Sequence, residues 1–402
     1  MANVYQSAAN ITEKVMTEEL AQKSCPAIPS VANVARAANR HRHRLRPKHP
    51  SNLHFDLQSE HIPDGFLQDD IKIDGQRHLI FATDYMLQLL GKADTWYMDG
   101  TYKIVKAPFL QLFSIHAFVR TREVIKQIPL CFVVMSAKRE RDYEVVLRTI
   151  RQKIRQRPVV QDVVTDFEKS LWKAVEIVMP GVRHRGCVFH WSQAVWRQMQ
   201  KVSGLIAQYK RHGDAYRALR LVFALPFLPA ENIVAAFSSM TAKLEEFGFR
   251  KVVKYIHKAW IVSNRWPPRT WSVFNQAIRT NNDLEGWHHR INRKAQRADL
   301  NLYLLIQLLY SESKMVVVNI RLISDKKICS TQTKKTKTNA ARIQNYWSEF
   351  SCGSRTVRDL LHACSHIYAP RFKHAENAGV QDAADPQNTA GTGNDGERVV
   401  DS

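Results

Sequence analysis

The chain lacks any run of about 20 apolar residues, the length a bilayer-spanning helix needs. Its most apolar stretch, residues 221–230 (LVFALPFLPA), is broken by two prolines, so no membrane span is expected. Glycine and proline are scarce, 15 each in 402 residues, which excludes collagen-like and linker-dominated sequence. Cysteine is scarcer still. Cys25, Cys131, Cys187, Cys329, Cys352 and Cys364 are widely scattered, which excludes a dense disulfide framework and reads as reduced thiols of an intracellular compartment. No spacing of a common zinc finger is present, and Cys352, His362, Cys364 and His366 fit none either. The first residues, MANVYQSAANITEKVM, have no apolar signal core, so secretion is not expected. Acids are also in deficit. Against 59 Lys and Arg stand 37 Asp and Glu, a net charge of +22. Such an excess points to a polyanionic partner, nucleic acid or an acidic membrane surface.

What is there is otherwise ordinary for a globular protein: 45% hydrophobic and 24% charged residues, in a length that suits roughly two to three domains. The charge is uneven. Residues 375–402 carry six acids and one arginine, leaving +27 on the other 374 residues. This tail is poor in aromatics and is expected to be disordered. Residues 40–48 (RHRHRLRPK) form a basic cluster. Arg40, Arg42 and Arg44 suit a phosphate-contacting arm or a nuclear address, and equally a solvated linker. Residues 331–338 (TQTKKTKT) read as a polar, basic loop.

Periodicity outlines an α/β block from about residue 90 to 190. Residues 95–99, 110–120 and 128–136 are apolar and rich in strand formers, and predict an antiparallel meander. Tyr143, Val146, Leu147, Ile150 and Ile154 recur at helical spacing. Residues 159–166 read as a fourth strand, and Phe167, Leu171, Trp172, Val175 and Val178 as a second helix, stopped by Pro180-Gly181. Residues 182–189 read as a fifth strand. The order is β-β-β-α-β-α-β. Residues 191–280 look helical only. A helix is expected to restart near Asn282 with Leu284, Trp287, His288, Ile291 and Ala295 as its apolar stripe, followed by a further helix through NLYLLIQLLYSESKMVV.

Three acids fall where this topology can gather them: Asp99 at the end of the first strand, Asp166 at the end of the fourth, and Glu285 in the first turn of the restarted helix. Neighbouring carboxylates repel one another, and a divalent cation relieves the repulsion. Oxygen ligands suit hard ions such as Mg²⁺ or Mn²⁺. Two such ions roughly 4 Å apart stabilise both the attacking and the leaving oxygen of a phosphodiester displacement. Each acid also has a local reading. Asp99 could initiate a turn with Gly100, Asp166 could cap the helix from Phe167, and Glu285 could close a capping box with Asn282.

The segments WYMDGTYK around Asp99, VVTDFEKSLWKAV around Asp166, GCVFHWSQAVWR around Cys187 and His190, WPPRTWSVF, and TNNDLEGWHHRINRKA around Glu285 together resemble a Mutator-like element (MULE) transposase of the ribonuclease H-like DDE superfamily. The likeness spans roughly residues 90–300. It implies a ribonuclease H-like mixed sheet interrupted by an all-α insertion before the last catalytic helix. It implies that Asp99, Asp166 and Glu285 are the metal ligands and that Cys187 and His190 form the family's C-x-x-H signature. A zinc site needs about four ligands, and no second pair stands at ligand spacing. Zinc is therefore not expected there, and the pair reads as orienting the helix after strand five.

The domain boundaries expected on this basis are a helical, basic connector over residues 1–60, with no zinc finger before it, and the first part of the core over 90–190. An insertion follows over 191–280, then the Glu-bearing core helix over 281–325, a helical region over 326–374 and the acidic tail over 375–402. His288 and His289 follow Glu285 by three and four positions. His288 falls on the apolar stripe, and His289 is the better candidate for a DNA contact. Trp266 and Trp271 could stack on an unpaired base or pack in a core. Arg148, Arg151, Lys153, Arg155 and Lys201 could line a DNA path or a solvated helix face. The resemblance implies a nuclear enzyme that cleaves DNA at transposon ends and joins it to target DNA with two Mg²⁺ or Mn²⁺ ions; a homo-oligomer is compatible with it, and the number of subunits stays open. Two alternatives stay open: a domesticated, non-cutting DNA-binding protein, and a nuclease of RNA–DNA hybrids.

Overall fold

The structure is a computed structural model and describes residues 13, 17, 30–120, 125–276, 282–295, 298–324 and 334–368. The acidic tail expected at 375–402 lies outside the described residues. The fold is mixed α/β, with seven strands in one sheet in the order β1-β2-β5-β4-β3-β6-β7. The strands are β1 (Leu67–Ile73), β2 (Gln76–Phe81), β3 (Thr95–Thr101), β4 (Gln111–Arg120), β5 (Ile125–Met135), β6 (Asp162–Thr165) and β7 (Arg183–Gly186). The pairings β1–β2, β2–β5, β5–β4 and β4–β3 are antiparallel, as the meander reading of β3 to β5 requires. No described helix is long and apolar enough to cross a membrane.

Contacts divide the chain into two units. The first comprises Met1–Val163, Ile177–Val182 and Asp283–Thr331. Its strands β4 and β5 are nearly continuous apolar runs because both faces are covered. Leu112, Phe113, Ile115, Phe132, Val133 and Val134 are all fully buried. Pro129, which has no N–H for a ladder, stands opposite His116 where the β4–β5 register slips, the position such a residue tolerates. Helices α1 (Val31–Leu45), α2 (Asp84–Gly91), α3 (Glu140–Lys153), α10 (Asn282–Ala295) and α11 (Leu302–Ser324) belong to this unit.

The hairpin β1–β2 and helix α2 were not among the expected elements. The hairpin turns on Asp74-Gly75, both at positive φ (49° and 72°), the conformation a two-residue hairpin loop demands. Arg77 of β2 is buried, with Nε and Nη2 donating to the two carboxylate oxygens of Asp70 at 2.7 and 2.6 Å. Its Nη1 donates to the carbonyls of Leu53 and Phe55, so the guanidinium ties the segment before the hairpin to the sheet. At the start of α3 the buried Asp142 accepts from the Arg139 backbone N–H and guanidinium and lies 3.3 Å from His78 Nε2.

The second unit comprises Val164–Glu176, Arg183–Asn282 and Gln332–Ser402. It holds helices α4 (Lys169–Val178, through Glu176), α5 (Val188–Gln200), α6 (Leu205–Lys210), α7 (Asp214–Ala224), α8 (Ala230–Glu246), α9 (Arg250–Ile256), α12 (Lys334–Ser351) and α13 (Val357–Ile367). Seven of the chain's nine tryptophans lie in its core. Two expectations change here. The basic loop expected at 331–338 is helical from Lys334, because the buried Ile343 and Trp347 anchor an amphipathic helix that propagates back into the basic segment. Trp347 Nε1 donates to the Phe227 carbonyl at 2.9 Å. The strand expected over 182–189 stops at Gly186, and α5 starts at Val188 with Cys187 as its N-cap residue.

Candidate active site

In the first unit β3 is buried on both faces, with Trp96 and Met98 on one side and Tyr97 and Asp99 on the other. Asp99 lies within the strand rather than at a turn, opposite Ser114 of β4. Its carboxylate is 6% exposed, and Oδ1 accepts from the Gly100 backbone N–H at 2.8 Å. Helix α10 supplies the facing groups. Its apolar stripe is the expected one: Leu284, Trp287, His288, Ile291 and Ala295 are buried. That packing turns Glu285 and His288, one helical turn apart, to a common side. A carboxylate oxygen of Glu285 lies within 4.8 Å of one of Asp99, and His288 Nδ1 is 3.7 Å from Asp99 Oδ2. Of the two histidines, the buried His288 is the one at the carboxylates, while His289 is exposed. The apolar stripe of α10 faces β3, which puts His288 beside Asp99 and leaves His289 on the exposed side of the helix.

Beneath this pair a buried ionic cluster fixes α10. Glu312 of α11 is 1% exposed. It accepts from Trp287 Nε1 at 2.9 Å, from the Arg290 guanidinium at 2.5 Å and from Lys294 Nζ at 2.6 Å. These donors occupy positions i, i+3 and i+7 of one helix face. Burial pushes the Glu312 carboxyl up, but the bonds from Lys294 and Trp287 and the charge of Arg290 outweigh it and hold the group below the usual range. The Trp287 ring stacks on Phe132 and meets His116 edge-on at 4.9 Å. His116 Nε2 is 3.0 Å from Ser114 Oγ. Burial, with the nearby His288 and Arg290, holds this imidazole well below its ordinary pKa, so it is neutral at neutral pH.

In the second unit Asp166 follows β6. Its backbone carbonyl accepts from Trp172 Nε1 at 2.6 Å and from Thr165 Oγ1 at 2.7 Å. These bonds leave the carboxylate directed by the turn before α4, where Oδ1 faces the Glu168 N–H at 3.4 Å. The helix starts at Lys169, so Asp166 does not cap it at Phe167. His184 stacks on Trp172 at 3.8 Å and places Nε2 2.9 Å from Thr165 Oγ1; burial lowers its pKa to about 3. Cys187 is buried, its N–H donating to the Thr165 carbonyl at 2.8 Å. His190 lies in the first turn of α5, half-buried. The C-x-x-H pair thus sits at the junction from β7 into α5.

Residues 95–194 match the family model described as MULE transposase domain. The chain carries a MULE transposase domain. No curated protein matches the chain. The MULE domain runs from the start of β3 into α5 and contains Asp99, Asp166, Cys187 and His190, whereas Glu285 lies beyond the matched residues.

The other residues weighed for a DNA contact are divided between core and surface. Trp266 and Trp271 are buried. Trp271 stacks on Trp191 and donates to the Trp266 carbonyl, and Trp266 packs against Phe167 and Trp260. Their ring faces are taken by the core rather than left for a base. Arg42 is buried on α1, while Arg40 and Arg44 are exposed. On α3 and just after it, Arg148, Lys153 and Arg155 pair with Glu144, Asp69 and Asp84, and Arg151 donates to the Val178 carbonyl. Sequence reasoning passed over His116, Arg77 and Glu312; Arg77 stands between Gln76 and His78 and Glu312 between Ser311 and Ser313, polar neighbours that conceal the burial of both.

Proposed function

We propose that the chain is a DDE-type MULE transposase with a ribonuclease H-like core, acting on DNA in the nucleus. One observation carries the reading: the carboxylates of Asp99 and Glu285, remote in sequence, face each other within 4.8 Å in a chain with a MULE transposase domain. Carboxylates brought this close repel one another, and a cation between them offsets the repulsion. The two carboxylates suit a hard divalent ion, Mg²⁺ or Mn²⁺. Asp99 and Glu285 would hold it, with Asp166 as the third carboxylate that the family pattern supplies.

Ions bound there would supply charge stabilisation for the attacking and leaving oxygens of a phosphodiester. The chain's own residues do the positioning. The Gly100 N–H fixes one oxygen of Asp99, leaving the other toward His288. Trp287, Arg290 and Lys294, gripped by Glu312, hold Glu285 at its angle. His116, kept neutral, adds no positive charge that would compete with a metal. Water attack at an element end, followed by attack of the freed 3′-hydroxyl on target DNA, needs such positioning and no covalent enzyme intermediate.

The test is nicking of supercoiled plasmid DNA. The full chain should nick with Mg²⁺ or Mn²⁺ and not with a chelator. Asp99→Ala, Asp166→Ala and Glu285→Ala should each lower the rate at least about 100-fold with little change in melting temperature. Nicking that survives the chelator, or that Asp99→Ala and Glu285→Ala leave untouched, overturns the reading. So does DNA binding without cleavage in any divalent ion.

A further inference from the structure

The second unit contains a cavity of about 810 Å³ between α7, α8 and α13, inside the range of about 300–1,000 Å³ typical of ligand sites. Its chemistry is split. Leu221, Met240 and Leu361 provide an apolar floor, and Arg217, Arg220, Lys243 and Arg358 provide the charged groups. The one lining acid, Asp214, is already paired with Arg217 at 2.7 Å. Arg220, Lys243 and Arg358 form no ion pair among the described residues. Arg220 Nε is sealed from solvent with no hydrogen-bond partner there. Three cations line one apolar concavity, and an anion with an apolar body would satisfy both halves.

Among polyanions, duplex DNA presents phosphates outward and hides its bases, so it has nothing to offer the floor. An unpaired strand offers both a base face and a flanking phosphate. We propose that this cavity binds single-stranded DNA, seating a base on Leu221, Met240 and Leu361 and its phosphates on Arg220, Lys243 and Arg358. The choice of DNA rests on the transposase reading; the cavity chemistry does not.

The test is fluorescence anisotropy on the full chain in chelator, where no cleavage occurs. The probes are a labelled oligo-dT of roughly ten nucleotides, an abasic strand of equal length, a blunt duplex, and dTMP as competitor. Lys243 and Arg358 are both exposed, so Lys243→Glu/Arg358→Glu should fold normally. Arg141→Glu/Arg250→Glu, at exposed sites outside the cavity, matches its charge change. The cavity variant should weaken oligo-dT binding at least about tenfold and the control variant less than about threefold. Wild type should bind the abasic strand several-fold more weakly than oligo-dT. Equal losses in the two variants, equal losses on duplex and single strand, equal affinity for the abasic strand, or dTMP competing at the strand's own affinity would each overturn the proposal. A chain that never nicks yet binds oligo-dT through these residues loses the transposase reading and keeps the cavity. A chain that nicks but binds oligo-dT independently of them does the reverse.

Discussion

A methyl group at position 186 would land 2.1 Å from the Phe167 ring. Gly186 ends β7, and Phe167 packs on Trp172, Trp260 and Trp266, so the ring has nowhere to retreat. Gly186→Ala should therefore destabilise the protein by about 2 kcal/mol or more, seen as a lower midpoint in urea unfolding; an unchanged midpoint would show that the ring can move. The requirement was not legible beforehand, because RHRG carries no sign of what will lie across from it. Asp99 is the opposite case. Its place at the end of the apolar run TWYMD, where the topology can gather acids, marked it before any geometry was known. His288 fell between the two. Its place on an apolar stripe announced its burial, but not its nearness to Asp99, which comes from the stripe facing β3.

At the level of elements, α10 depends on one buried anion. Glu312→Gln removes the charge that Arg290 and Lys294 share. Because both cations are about 40% exposed, the loss should be moderate, about 1–3 kcal/mol. The folded carboxyl titrates below its ordinary value of 4.5. The clamp's contribution is therefore complete above the unfolded carboxyl's range and is lost as pH falls through the lower folded value. Wild type minus Glu312→Gln stability, measured by urea unfolding along a pH series, should shrink below about pH 4.5; a constant difference would argue against an ionised Glu312. Strands β3, β4 and β5 were readable as continuous apolar runs because neighbours cover both faces. The β1–β2 hairpin was not, because LQDDIKI at the sheet edge is half charged and imitates a loop. The short β6 and β7 were overextended by a few residues, because the apolar Val159 and Val160 precede β6 and the apolar Val188 and Phe189 after β7 belong to α5.

For the molecule as a whole, charge outweighs every other surface property. With +22 overall, duplex affinity should fall steeply with salt, by about 10³-fold between roughly 50 and 200 mM. A flat salt response would show that the excess cations do not meet phosphates. Composition alone supports that much, whereas the gathering of Asp99 with Glu285 required the chain to fold.

The Glu312 clamp has one more implication, for motion. Rotating α10 about its axis to swing Glu285 aside would strip a sealed anion of three donors at once. Any breathing around this site must therefore carry α10 and α11 together as a single strut.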